Sequence, residues 1–245
     1  MAAPTSQPPS SRIYKPLILD IYDLWVLKLS NTRAWQCPTT TVQQPFFQTN
    51  IGARHLDIGV GTGYYPASVV ADNGKDRKVK ALTLVDLNGN ALEKAKARVN
   101  KLGFENVKCV VGDVLKELDL WEEREGDEGT KTPAEFDSIS LMYLFHCLSG
   151  PPASKLSAFS LVKKHLAPTG VLFGTTILGL STEGAEVKHN LFGKALMWLY
   201  NGLGVFGNYE DGKEDFEVAL RENFGKVEVE VVGKVLMFRA WAPIY

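Results

Sequence analysis

One stretch constrains this chain more than any other: His55-Leu56-Asp57-Ile58-Gly59-Val60-Gly61-Thr62-Gly63, followed by Tyr64-Tyr65-Pro66-Ala67-Ser68-Val69-Val70. Apolar residues flanking an acid, then three glycines at alternate positions, read as a buried strand that ends in a tight turn with a helix just beyond. Glycine is needed where backbone passes through positive φ or lies against a ligand with no Cβ between. A helix that starts after such a turn presents its first unpaired N–H groups to whatever rests on the turn. A chain built around this junction is expected to be an α/β protein.

The remaining chain continues the alternation. The apolar run Val79–Val85 ends in Asp86-Leu87-Asn88, and the helix-forming stretch 90–102 follows, with Asn88 or Asn90 as its N-cap and Gly103 as its stop. Val107–Val111 is a third strand, ending in Gly112-Asp113-Val114. A fourth begins at Phe136 and delivers Tyr143, Phe145, His146 and Cys147 to the same edge of the sheet. A helix over 151–166, a fifth strand over 171–178, a helix over 215–223 and a closing hairpin over 227–241 complete the pattern. The expected fold is a doubly wound, mostly parallel seven-stranded sheet with a C-terminal antiparallel hairpin. Residues 31–45 read as an irregular link, and the charged segment 121–135 as a surface loop.

At 245 residues the chain suits one domain with a full core. Residues 1–11, rich in Ala, Pro, Ser and Thr, read as a disordered tail rather than a signal peptide, and 12–245 as the domain. Within it, Ile13, Leu17, Ile21, Leu24 and Leu27 are spaced as one face of a helix over 13–30, a candidate lid carrying Tyr14 and Tyr22. The aromatic-rich insert at about 180–210 (Phe192, Trp198, Tyr200, Phe206) is a candidate acceptor pocket, with core packing as the competing reading. The 27 basic and 28 acidic residues give a charge of −1, which leaves no basic surplus for nucleic acid. Asp20, Asp23 and Lys28 interrupt the most apolar early run, so no membrane span is expected. Three scattered cysteines without a C-x-x-C point to a reducing, cytoplasmic setting, not to a disulfide framework or zinc site.

The spacing of the glycines separates two kinds of nucleotide-like ligand. Dinucleotide folds use G-x-G-x-x-G, whereas here the third glycine comes one residue early and Asp57 precedes the first by two. An acid there repels a pyrophosphate and suits a ligand with a cationic ammonium group. Asp86, some two dozen residues on, stands where a carboxylate can accept both hydroxyls of a ribose. This combination resembles the first motif of the class I S-adenosylmethionine-dependent methyltransferases, and the turn Leu166-Ala167-Pro168-Thr169-Gly170 is similar to theirs. The chain looks closest to small ubiquinone/menaquinone-type and natural-product tailoring enzymes.

The resemblance implies S-adenosyl-L-methionine as cofactor and a Rossmann-like methyltransferase fold. It assigns cofactor binding to Asp57, Gly59, Gly61, Gly63, Asp86, Leu87, Asp113, Val114, Tyr143 and Tyr22, with Asp113 at the adenine amino group and Val114 beside the ring. Asp113 as a helix N-cap is compatible with that role. No metal is required. His146 is the candidate catalytic base that would take a proton from an acceptor hydroxyl, with packing as its alternative role. Cys147 reads as packing. The implied reaction is O-methylation of a hydrophobic small molecule, a polyketide, pyrone or phenol of secondary metabolism, ahead of C- or N-methylation. Use of the fold for a cyclisation or as a scaffold partner, and nicotinamide-dependent oxidoreduction, are the alternatives.

Overall fold

The computed structural model describes residues 29–72, 78–123, 131–180 and 188–245. The expected tail, Tyr14, Tyr22 and all but the last two residues of the expected lid helix lie outside them. The strands are β1 (Arg54–Ile58), β2 (Ala81–Asp86), β3 (Val107–Val111), β4 (Trp121–Glu123), β5 (Lys131–Pro133), β6 (Phe136–Met142), β7 (Leu166–Ile177), β8 (Phe224–Val232) and β9 (Val235–Pro243). Seven form one sheet in the order β3-β2-β1-β6-β7-β9-β8, parallel up to β7 and antiparallel through β9 and β8. The doubly wound sheet with its terminal hairpin is therefore present as expected.

The strand order reverses beside β1, which has β2 on one side and β6 on the other. At such a switch point the connecting helices lie on opposite faces and leave a crevice beyond the carboxyl ends of the strands. The main described helices are α1 (Gln44–Asn50), α2 (Tyr64–Asp72), α3 (Gly89–Asn100), α4 (Pro152–Leu156), α5 (Ala158–Val162), α6 (Leu191–Gly202) and α7 (Lys213–Asn223). Asn88 caps α3 by accepting from the N–H of Asn90, and Asn190 caps α6 by accepting from that of Gly193 at 2.7 Å. No described helix is long and apolar enough to cross a membrane.

Side chains alternate across β1. Leu56 and Ile58 join one core layer with Phe145, Phe159, Phe216 and Phe238. The opposite layer contains Phe47, Tyr65 and Phe173, and His55 and Asp57 point to that side, where His55 packs against Phe47 and Phe173. Trp35 is buried there, as a core residue.

Three local expectations need correction. Residues 121–135 do not form only a loop: β4 and β5 pair antiparallel, and Ala134 N–H donates to Leu120 O at 2.9 Å to close the base of the hairpin. Its two ends are held because Leu120 and Ala134 are buried in the core. The helix expected over 151–166 is broken into α4, α5 and a 3₁₀ turn at Lys163–His165. Ser157 and Ser160 hydroxyls donate to the carbonyls of Ser154 and Ser157, the local competition by which serine interrupts helices. The link over 31–45 is also ordered into helical turns, including a π-turn at Thr39–Gln43, with Asn31 Nδ2 donating to Thr39 Oγ1 at 2.8 Å.

The Phe145 ring is fully buried and meets Phe159, Phe216 and Phe238 at centroid distances of 5.1, 5.2 and 6.3 Å. Phe145→Ala is expected to cost about 3–5 kcal/mol in chemical denaturation, whereas Trp198→Ala on the exposed face of α6 should stay within about 0.5 kcal/mol. Equal effects of the two would contradict this core assignment.

Candidate active site

The glycine turn leaves β1 with all three glycines at positive φ: +75° at Gly59, +53° at Gly61 and +71° at Gly63. Their surroundings differ. A Cβ on Gly63 would sit 2.8 Å from the Cα of Ala95 on α3, so this glycine lets α3 close against the turn. A Cβ on Gly61 would meet none of the described residues within 4 Å. The middle glycine is thus clear of the described side chains, and its backbone is the floor of the crevice.

Two carboxylates border that floor. Asp86, at the end of β2, accepts from the N–H of Gly61 at 3.0 Å and of Asn88 at 2.9 Å. Asp57, on β1, is 3% exposed and accepts from Ser140 Oγ at 2.5 Å. Burial pushes the Asp57 carboxyl up to about 7, against the Ser140 hydrogen bond that favours the anion, and the neighbouring Asp86 charge adds to the rise. Burial also raises Asp86, opposed by the N–H donors of Asn88 and Gly61. Neither carboxylate has a lysine or arginine partner among the described residues. A buried acid and a half-buried one beside a bare glycine floor suit a cation better than a phosphate.

The neighbouring strand end continues the rim. Leu87, next to Asp86, leaves its apolar side chain 39% exposed. Gly112 N–H donates to Asp86 O at 3.1 Å, which brings the Asp113-Val114 turn alongside. Asp113 accepts from Leu115 N–H at 3.0 Å in a turn that no helix follows, so the helix N-cap considered from sequence is not formed, and Val114 is buried.

Tyr143 leaves β6 at φ +55°, a conformation that costs a bulky residue free energy and that clusters at functional sites. Thr175 O holds its N–H at 2.8 Å, and its hydroxyl accepts from Gln43 Nε2 at 2.6 Å. Gln43 Oε1 accepts from the Tyr65 hydroxyl at 2.7 Å, so one buried amide ties the segment before α1 to the β6 turn and to α2. Burial holds the Tyr143 phenol well above its usual range, so it stays protonated. Gln43 was not singled out from sequence because its segment carries no periodic pattern.

His146 lies one short turn further on, buried, with its ring 5.2 Å from that of Tyr143 and 4.6 Å from that of Phe206. Its Nδ1 lies 3.4 Å from both Thr176 Oγ1 and the Ile177 nitrogen. Burial, then the nearby Lys155 charge, lower its pKa to about 3, so the ring is neutral at physiological pH. The Phe206 loop is pinned from below. Lys155 Nζ pairs with Asp211 in the interior and donates to Gly207 O at 2.8 Å, while Gly207 N–H donates to His146 O at 2.9 Å. In the insert, Leu196 and Phe206 are buried and Trp198 is 72% exposed, so its aromatics divide between packing and surface. Cys147 is partly buried, and burial pushes its thiol up to about 12, which keeps it an unreactive packing group.

Comparison with known proteins agrees with this geometry. Residues 56–172, from β1 to β7, match a family model described as a methyltransferase domain. A physcion biosynthesis cluster O-methyltransferase of Aspergillus chevalieri is 45% identical over 94% of both chains. The O-methyltransferase adaD of Aspergillus niger is 40% identical over 96% of this chain and 89% of its own. The solved DhpI–SAH complex superposes with a TM-score of 0.62 at 13% identity, over 97% of this chain and 98% of that one, a likeness of fold. On the sequence identity and the shared sheet together, the chain belongs to the class I S-adenosylmethionine-dependent methyltransferase superfamily.

Proposed function

We propose that this chain transfers the methyl group of S-adenosylmethionine to a hydroxyl of a hydrophobic small molecule, a polyketide, pyrone or phenol of secondary metabolism. The observation that carries the reading is the pair of carboxylates, buried Asp57 and half-buried Asp86, beside a glycine floor open at Gly61. Two relatives over 90% of this chain carry the name O-methyltransferase, and one belongs to a natural-product cluster, which supports oxygen as the acceptor atom.

The residues present fit the cofactor. Asp57 offers a desolvated anion to the ammonium group, and Asp86 both oxygens to the ribose hydroxyls. Gly59, Gly61 and Gly63 allow close backbone approach, Leu87, Asp113 and Val114 would flank the adenine, and Tyr143 is assigned to the same pocket; Tyr22, assigned with it from sequence, lies outside the described residues. When bound, the cofactor supplies a sulfonium-activated methyl group. Positioning the acceptor oxygen in line with that group then provides much of the acceleration. In the transfer the acceptor oxygen would bond to the methyl carbon, the electrons of the old methyl–sulfur bond would stay with sulfur, and the hydroxyl proton would leave to a base or to solvent.

His146 is our candidate to face that hydroxyl. Its Nδ1 faces the Ile177 N–H and Thr176 Oγ1, each at 3.4 Å; to act as a base at Nε2 the neutral ring must carry its proton on Nδ1 and donate it to Thr176 Oγ1, giving up the bond from Ile177. With a pKa of about 3 the imidazole is unprotonated throughout the neutral range, but as a base it suits only an acidic hydroxyl, as phenols and enols have.

Three outcomes are expected. Incubation with S-adenosylmethionine and a panel of phenols and pyrones should yield a product heavier by one methylene unit; an unchanged product mass across the panel, with cofactor bound, would remove the transfer reading. The pH dependence separates the two groups. Asp57 must be ionised to hold a cation, so kcat/KM for the cofactor should rise with pH up to about 7 and level off above it. His146 should give kcat no inflection near the ordinary histidine value, because its folded pKa lies far below it. An inflection there, abolished in His146→Gln, would contradict the burial argument, and full turnover in His146→Ala would remove its role.

A further inference from the structure

Behind Asp57 the structure holds a run of buried polar groups that the methyl-transfer reading leaves unused. The parallel register of β1 and β6 pairs His55 with Ser138 and Asp57 with Ser140, so all four side chains share one face of the sheet. The His55 ring spans the two serines, with Nδ1 2.7 Å from Ser138 Oγ and Nε2 3.0 Å from Ser140 Oγ. Ser140 Oγ donates to Asp57 Oδ1 at 2.5 Å. At the far end, the N–H of Gly52 donates to Ser138 Oγ at 2.6 Å. His55, Ser138 and Ser140 are fully buried. The ring lies between Phe47, edge-on at 5.4 Å, and Phe173, stacked at 5.9 Å.

With Asp57 ionised, counting donors orders the chain. The Ser140 proton goes to the carboxylate, so Ser140 Oγ receives its bond from His55 Nε2–H. A neutral ring that donates at Nε2 accepts at Nδ1, and the proton it accepts is that of Ser138. Ser138 Oγ in turn receives the Gly52 N–H. Every donor then points toward Asp57, and successive bonds polarise one another in the same direction. The apolar slot around the ring favours its neutral form, and burial lowers the His55 pKa to about 3. A protonated Asp57 would instead donate toward Ser140 and leave the order broken or reversed.

We propose that Ser138, His55 and Ser140 form a one-way hydrogen-bond chain that holds Asp57 as an oriented carboxylate for the ammonium group of the cofactor. His55 and Ser140 are then positioning residues for cofactor affinity, acting through Asp57 with no contact to the ligand. The charged and titratable neighbours leave this role to the chain. Asp86 on β2 opposes the ionisation of Asp57, while among the described residues α1 and β7 pack the phenyl rings of Phe47 and Phe173 against His55. The proposal rests on the reading that Asp57 receives the ammonium group, and its test separates the two.

Binding of S-adenosylhomocysteine, which has the ammonium group and no methyl to transfer, is measured by calorimetry from pH 5.5 to 9 for wild type, Asp57→Asn, Ser140→Ala and His55→Gln. Wild-type affinity should rise with pH by up to about tenfold per unit below the Asp57 pKa and then level off. Ser140→Ala and His55→Gln should move that inflection to higher pH, and a shift of one pKa unit would weaken binding about fivefold at pH 7 and about tenfold well below the inflection. Loss of pH dependence in Asp57→Asn with the inflection unmoved in both other variants overturns the chain alone. Unchanged affinity in Asp57→Asn overturns the underlying reading. Nitrogen-15 NMR of the wild-type complex needs no variant: the neutral Nε2–H tautomer of His55 supports the chain, and the Nδ1–H tautomer or an imidazolium overturns it.

Discussion

Two carboxylates brought close together in a largely desolvated crevice are the constraint on which this structure turns. Asp57 and Asp86 stand on adjacent parallel strands, burial raises the cost of ionising each, and the Asp86 charge adds to that of Asp57. A fold that buried these groups for stability alone would pair them with a lysine or arginine, as it does with Asp211 and Lys155 elsewhere. Here the compensation within the chain is partial, from Ser140 on one acid and backbone N–H groups on the other. The remaining deficit is the free energy that a cationic ligand can release on binding, and it is concentrated at the floor the glycine turn keeps clear.

The rest of the architecture keeps that deficit in place. The strand order reverses at β1, so the crevice opens where both acids end. Gly63 lets α3 close on the turn, and Gly61 leaves its own side vacant. Gln43 ties Tyr143 and Tyr65 to one buried amide, which fixes the strained turn after β6 beside His146. The buried Lys155–Asp211 pair and the Gly207–His146 backbone bond hold Phe206 over the His146 ring. The part of the crevice beside the two acids and the part beside His146 are thus braced by separate polar contacts, with Tyr143 next to His146 between them.

Much of this was legible in the sequence wherever local chemistry determines the outcome. Alternating glycines require positive φ, and an acid at the end of an apolar run lands at a strand's carboxyl end, so Asp57 and Asp86 could be placed before any coordinates. The closing hairpin at Gly233 was equally readable. What escaped depends on long-range register. The hairpin of β4 and β5 is fixed by Leu120 and Ala134 anchoring in a core that the charged segment between them does not announce. The breaks after Leu156 and Val162 come from serine hydroxyls competing for carbonyls within an otherwise helical pattern. His55 shows the limit most clearly. Its spacing from Asp57 and the Ser138-Ile139-Ser140 alternation were both visible, but only the pairing of β1 with β6 sets the ring between the serines.

The most direct measurement of the central claim is a crystal structure of the complex with S-adenosylhomocysteine. The account predicts the ammonium nitrogen within hydrogen-bonding distance of Asp57, both ribose hydroxyls on Asp86, and the ligand lying against the backbone of Gly61. A ligand bound with a phosphate-like or apolar group at Asp57, or held outside the crevice between β1 and β6, would contradict it.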